Sequence, residues 1–349
     1  MNAKRFFIGV LAAVMLVLVA VAALIGWVDP LMTIRPLEEG ETALFTNQRY
    51  EMPGLIRNQD YSAVVMGTSL VANYRASWFT EALGKETLKI TFPDGWVSEF
   101  DTALNLAFDT HPQLEQVFFC LDPNILIRPD SERTVELPGY LYNTNPLDDV
   151  EFYLNADSVI LSLKTLQARA QGEGTDLDSA YIWDENYRFD RIQAFASYPR
   201  PEKSDVVYPA DTYYAACDEN LALITRWLEE HPDTRFTIWF PCYSILYWDK
   251  MAREGKTEAV ISAVEYSIGQ LLEYDNVNVH CFLFSYKTMC GIDEYTDHIH
   301  CSGKITKWVA DEMLAGRWHF TKENYQLRLD ELRTFVANYD YKQLFPEDT

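Results

Sequence analysis

The sequence predicts an α/β protein: a three-layer sandwich with a central parallel sheet, preceded by one transmembrane helix. Three observations lead there. Short apolar runs of strand length alternate with helical stretches along the chain. Several of those runs, such as Val117-Phe118-Phe119-Cys120-Leu121, are too apolar to have a solvent face. Residues 6–28 carry no charge at all and follow Lys4 and Arg5.

The first element is that uncharged run. At about 1.5 Å per residue it covers the ~30 Å hydrocarbon core, and it exceeds the roughly 7–15 apolar residues of a cleaved signal peptide. It also ends at Ile25-Gly26-Trp27-Val28, without the small residues of a cleavage site. Residues 1–28 are therefore read as an uncleaved anchor, with the basic flank cytoplasmic and the remaining chain extracellular: a single-pass protein of the cell membrane. Residues 29–60, with prolines and polar residues, read as a juxtamembrane linker.

The α/β domain is expected over 61–316. Strands are read at 62–66, 87–92, 116–121, 235–240 and 277–284. Helices are read at 70–83, 97–110 and 257–274, the second with an apolar face through Phe100, Ala103, Leu104 and Ala107. A segment of about 123–232 interrupts the third and fourth strands. It holds a helix at 147–170, a break at Gly172-Glu173-Gly174, an aromatic stretch over 181–198, and a helix at 211–230 starting on an Asp211 N-cap. Helices at 302–314 and 321–339 follow, and 317–349 reads as a C-terminal helical tail.

Composition narrows the function. With 48% apolar and 23% charged residues the chain is globular rather than disordered. A formal charge of −23 argues against nucleic acid as a partner. The 6 cysteines, Cys120, Cys217, Cys242, Cys281, Cys290 and Cys301, show no repeated spacing; outside the cytoplasm they can pair, with Cys290 and Cys301 nearest in sequence. Cys120, Cys242 and Cys281 lie in or beside strand-like runs, where buried free thiols are the plain expectation.

Chemistry concentrates at two places. Val64-Val65-Met66-Gly67-Thr68-Ser69-Leu70 is a strand that stops at a glycine and puts a serine at the mouth of a helix, beside backbone N–H groups able to stabilise an oxyanion. Far downstream, Asp297-His298-Ile299-His300 precedes another helix. An Asp three residues before a His can hold the imidazole's Nδ1–H and leave Nε2 free to take a hydroxyl proton. Each half alone also has a structural reading: Gly-Thr-Ser before a helix is an N-cap, and Asp-x-x-His a local tie. Their joint occurrence beside the first and last strands favours the functional one. Catalytic groups in parallel sheets collect at the strands' carboxyl ends.

With these blocks the chain resembles an SGNH (GDSL-type) hydrolase, whose fold is a flavodoxin-like sandwich. It is more similar to the membrane-anchored, extracytoplasmic SGNH-like proteins of Gram-positive bacteria, related to the D-alanine transfer protein of lipoteichoic acid and, more distantly, to alginate O-acetylation proteins. The stretch YSAVVMGTSLVANYRASWF looks like that group's first block, and the resemblance covers roughly residues 55–315. It implies Ser69 as nucleophile, His300 as general base, Asp297 as its orienting carboxylate and Gly95 as an oxyanion-hole donor. The third block's Gly-x-Asn-Asp is replaced by Leu121-Asp122-Pro123-Asn124, so Asp122 or Asn124 is expected to reach the site. That departure fits the acyl-transfer branch better than a general esterase.

The implied function is acyl transfer to, or ester hydrolysis on, a cell-envelope glycopolymer. A membrane-bound O-acyltransferase is the natural partner, and neither a metal nor an organic cofactor is implied. A plain esterase, or a non-catalytic assembly or glycan-binding protein on the same fold, is the alternative. His298, His300, Cys301 and Cys290 could be read as zinc ligands, but no Cys-x-x-Cys pair completes the set. His111, His231, His280 and His319 read as surface or satisfied core. Phe240-Pro241-Cys242-Tyr243-Ser244 closes the fourth strand at the site's rim, with Tyr243 as a substrate contact. Tyr181, Trp183, Tyr187, Phe189, Phe195 and Tyr198 read first as an insertion packing on its own aromatics, and second as a glycan-facing lip.

Overall fold

The structure, a computed structural model, describes residues 3–145 and 147–345. Its centre is a six-stranded sheet in the order β2-β1-β3-β4-β5-β6, with β1 Ala63–Gly67, β2 Thr87–Thr91, β3 Gln116–Cys120, β4 Arg235–Phe240, β5 Val277–Cys281 and β6 His319–Phe320. The first five strands pair in parallel, and β6 pairs antiparallel with β5 through Val279–Phe320 and His280–His319. All five residues of β1 are buried, as a strand covered on both faces requires.

The chain divides into two compact units. One comprises the described residues up to Asp60 with Thr102–Pro112 and Val135–Tyr181; the other holds Tyr61–Asp101, Gln113–Thr134 and everything described from Ile182 on, including the whole sheet. Of the expected insertion, 123–134 and 182–232 thus belong to the sheet's unit.

The first unit begins with one helix, Ala3–Val28, long and apolar enough to cross a membrane. Residues 29–60 are packed structure, unlike the linker expected there. The helix Gln48–Asn58 buries Met52, Leu55 and Ile56. Its Glu51 carboxylate accepts hydrogen bonds from Thr46 N–H, Thr46 Oγ1 and Asn47 N–H at 2.7, 3.0 and 3.0 Å, closing the helix start. A methyl group on Gly54 would sit 2.1 Å from the Leu31 carbonyl oxygen, so only glycine admits the chain that follows the first helix. The helix expected over 147–170 is two helices, Val150–Tyr153 and Ala156–Gln171, because Asn155 accepts Asp157 N–H at 2.8 Å and caps a fresh start. His111 lies in this unit and is satisfied by the Gln59 carbonyl, 2.9 Å from its Nε2.

Three further expectations in the sheet's unit shift for local reasons. The helix at 70–83 is two pieces, Ser69–Ala72 and Ala76–Leu83. Buried Lys89 on β2 donates to the Ala72 and Tyr74 carbonyls at 2.9 and 2.8 Å, ending the first piece after one turn. The helix placed at 211–230 starts at Tyr214, since Thr212 N–H and Oγ1 turn back onto the Pro209 carbonyl and Asp211 offers no side-chain cap. The tail from 317 opens with β6, preceded by Gly316 and Trp318 at φ 71° and 61°, before the helix Tyr325–Asn338.

Candidate active site

The site lies at the carboxyl ends of β1, β3 and β4, all in the sheet's unit. Gly67 closes β1, Thr68 is the N-cap, and Ser69 is the first residue of the short helix. A methyl group on Gly67 would meet Val71 Cγ2 at 2.5 Å and Cys120 Cβ at 2.8 Å, so the turn can be this tight only with glycine. Gly67→Ala is expected to destabilise the chain by about 1–3 kcal/mol, read by thermal or urea unfolding.

The opposite side is a hairpin, closed by the Tyr295–Cys301 bridge and by Thr296 N–H to the His300 carbonyl at 3.1 Å. Ser244, just past β4, donates from its Oγ and N–H to the His298 carbonyl at 2.9 and 3.2 Å and braces the hairpin against the sheet. Within it, Asp297 Oδ1 accepts the Ile299 and His300 N–H groups, each at 2.8 Å. Asp297 Oδ2 lies 2.6 Å from His300 Nδ1, and His300 Nε2 lies 2.9 Å from Ser69 Oγ. A carboxylate only accepts, so the imidazole proton sits on Nδ1 and the Nε2 lone pair faces the serine. Burial pushes the Asp297 carboxyl up, but the hydrogen bonds from His300 and Ile299 and the imidazole's charge outweigh it and hold it below the usual carboxylate range. The structure thus brings Ser69, His300 and Asp297 together in one proton path.

The other site residues named from sequence are placed differently. Gly95 is not an available oxyanion donor. Its N–H donates to the Phe92 carbonyl at 3.0 Å, and its own carbonyl accepts Arg128 Nη2 at 2.9 Å. Glycine is needed there because a methyl group would sit 2.9 Å from the Phe100 ring. Asp122 caps the helix Pro123–Leu126, accepting Asn124 N–H at 2.8 Å and the Tyr243 hydroxyl. Burial raises its carboxyl, although it is close enough to His300 for the ring's charge to oppose that rise. An ionised carboxylate there accepts only and cannot stabilise an oxyanion. Asn124 donates one amide hydrogen to Tyr243 Oη at 2.9 Å. Tyr243 is 1% exposed and its hydroxyl is held between Asp122 and Asn124, so it is an internal tie rather than a substrate contact.

Two residues to which sequence reading gave no role at the triad pack against it or hold what does. Trp183 donates its indole N–H to the Ser69 carbonyl at 3.2 Å and meets the His300 ring edge-on at 5.2 Å. Asn73 holds that segment by accepting the Trp183 and Asp184 N–H groups at 3.0 and 3.2 Å. Trp183 also packs on Tyr187 and Phe189, as an aromatic insertion packing on itself would. The only sequence signal was that aromatic crowding.

His298 does not share a ligand set with His300. Its ring sits between Tyr198 and Tyr247, at 5.8 and 6.4 Å, and burial pushes its pKa down to about 4. Among the described residues no group of His, Cys, Asp or Glu is arranged to hold a metal ion. All six cysteines are free thiols, with Cys290 exposed. No protein-family model matches the chain, and comparison with curated proteins returns no match.

Proposed function

We propose that the chain is a membrane-anchored, extracytoplasmic SGNH-like acyltransferase or esterase acting on O-acyl groups of a cell-envelope glycopolymer. The observation that carries this reading is the Asp297–His300–Ser69 chain, with spacings of 2.6 and 2.9 Å. The strand order β2-β1-β3-β4-β5 supports it, being the order of flavodoxin-like doubly wound sheets. So does the single apolar helix, whose flank of Lys4 and Arg5 favours a cytoplasmic N-terminus and an outward-facing domain.

In this reading His300 Nε2 takes the Ser69 hydroxyl proton as Oγ attacks an ester or thioester carbonyl. Asp297 stabilises the imidazolium. Collapse of the tetrahedral intermediate passes that proton to the leaving group and leaves an acyl-serine. A sugar or polyol hydroxyl, or water, then gives its proton to His300 and attacks the acyl carbon; the proton returns to Ser69 as the new ester or free acid departs. The Ser69 N–H, at the first helical position, has no intrahelical carbonyl to serve and would act as a backbone donor to the oxyanion. A membrane-bound O-acyltransferase would supply the acyl group.

The committed Gly95 N–H favours a second reading, a glycan-binding or assembly protein on the same framework. Mass spectrometry of envelope polymer from cells carrying the parent chain or Ser69→Ala separates the two. Acyl transfer requires a changed O-acylation pattern; an unchanged pattern leaves the second reading. Trp183→Leu, which removes the donor to the Ser69 carbonyl and the wall beside His300, is expected to lower kcat/KM for a small activated ester by about tenfold, the equivalent of one lost hydrogen bond.

A further inference from the structure

The sheet's unit carries a cleft of about 790 Å³ whose lining includes Glu294 and Lys304, which flank in sequence the hairpin that bears Asp297 and His300. Its size falls within the roughly 300–1,000 Å³ of small-molecule sites. Its walls are aromatic. Phe284 follows β5, Trp308 lies on the helix Gly303–Leu314, and Trp318 stands in the turn before β6. The Trp318 ring lies 5.0 Å from Phe284 and 5.6 Å from Trp308, the latter nearly perpendicular at 77°.

Trp318 is the telling residue. It adopts φ 61°, a left-handed conformation that costs free energy for any bulky side chain. Its carbonyl accepts Cys281 N–H at 3.1 Å, and its indole N–H donates to Glu312 Oε2 at 3.0 Å. The fold therefore holds a strained backbone and a hydrogen-bonded indole where this ring lines the cleft.

Besides Lys287, the charged lining includes two ion pairs. Glu294 takes Lys304 and also Ser302 Oγ at 2.7 Å, while Arg328 pairs with Glu331 at 3.1 Å. An acyl chain in this cleft would cover those charges without replacing their water, which is costly. A sugar ring offers an apolar C–H face for the indoles and, at its edge, hydroxyls for the carboxylates and cations.

We propose that this cleft is a saccharide-binding subsite. Glu294 and Ser302 are joined at the base of the hairpin that presents His300, so a glycan held there is bound next to that hairpin, and neither Ser69 nor His300 lines the cleft. Identifying that glycan as the acceptor polymer rests on the acyl-transfer reading; the saccharide site itself does not.

The test is calorimetric titration of the full chain, carried as Ser69→Ala in a sugar-free zwitterionic detergent, with N-acetylglucosamine tetramer, maltoheptaose and a short alkyl sulfonate. At least one saccharide is expected to bind, weakened tenfold or more by Trp308→Ala and less by Trp308→Phe. Arg328→Ala, at an exposed position, is expected to weaken it as well and serves should Trp308→Ala fail to fold. No saccharide binding, affinity unchanged in these variants, or Trp308-dependent binding of the alkyl sulfonate alone overturns the proposal. Turnover of 4-nitrophenyl acetate by the parent chain reports on Ser69 separately. Binding without turnover keeps the subsite and removes acyl transfer; turnover without binding does the reverse.

Discussion

Ser69→Ala is expected to lower turnover of 4-nitrophenyl acetate by about 10⁴–10⁶-fold while leaving the fold intact. The size follows from the arrangement. His300 Nε2, at 2.9 Å, has only this hydroxyl to deprotonate, and without it neither an acyl-enzyme nor its hydrolysis is available. The fold is spared because the helix is capped by Thr68, with Asn73 and Lys89 holding its far end, and none of these contacts uses Ser69 Oγ. A melting temperature within a few degrees of the parent, with burst and steady-state turnover both gone, is the expected pair of results. Turnover that survives the change would mean that the hydrolysing group is elsewhere.

What the sequence disclosed tracks how local each feature is. The five parallel strands were legible because each puts mainly apolar or β-branched residues in a strand-length run between helical stretches, although Lys89 on β2 and Asn278 and His280 on β5 interrupt the apolar pattern; Arg235–Phe240 needs no tertiary information to be recognised. The antiparallel β6 has two residues and exists only because the turn through Gly316 and Trp318 lays it on β5, so no periodicity announces it. At the site, Gly67-Thr68-Ser69 and Asp297-x-x-His300 were legible as local geometry, a strand-to-helix turn and a carboxylate within reach of an imidazole, although the latter pair was expected at a helix start and sits instead in the hairpin before Gly303–Leu314. The partners that arrive from elsewhere were not. Trp183 reaches Ser69 across more than a hundred residues of chain, and Ser244 braces a hairpin it does not adjoin in sequence. Gly95 shows the converse limit. A glycine that faces an oxyanion and a glycine pressed against Phe100 are the same letter, and only the packing separates them.

Asp297→Asn is expected to lower kcat by about 10³–10⁴-fold with a smaller change in KM, because it changes which imidazole nitrogen is free. The amide would have to serve three donors that the carboxylate now accepts: Ile299 N–H, His300 N–H and His300 Nδ1–H. Its oxygen can keep the two backbone groups, but its NH2 then faces Nδ1 and favours the tautomer with the proton on Nε2, where it blocks the path from Ser69. The same substitution has a pH signature in stability. The folded carboxyl sits below its ordinary value of 3.8, so ionised Asp297 contributes stability that is fully present above that value. The contribution is lost as pH falls through the lower folded value. The melting-temperature gap between the parent and Asp297→Asn should therefore be open at about pH 5 and close progressively below about 4. A gap that persists unchanged through that acid range would mean that the Asp297 charge does not hold the hairpin, and the orienting role would have to be reassigned to the backbone around it.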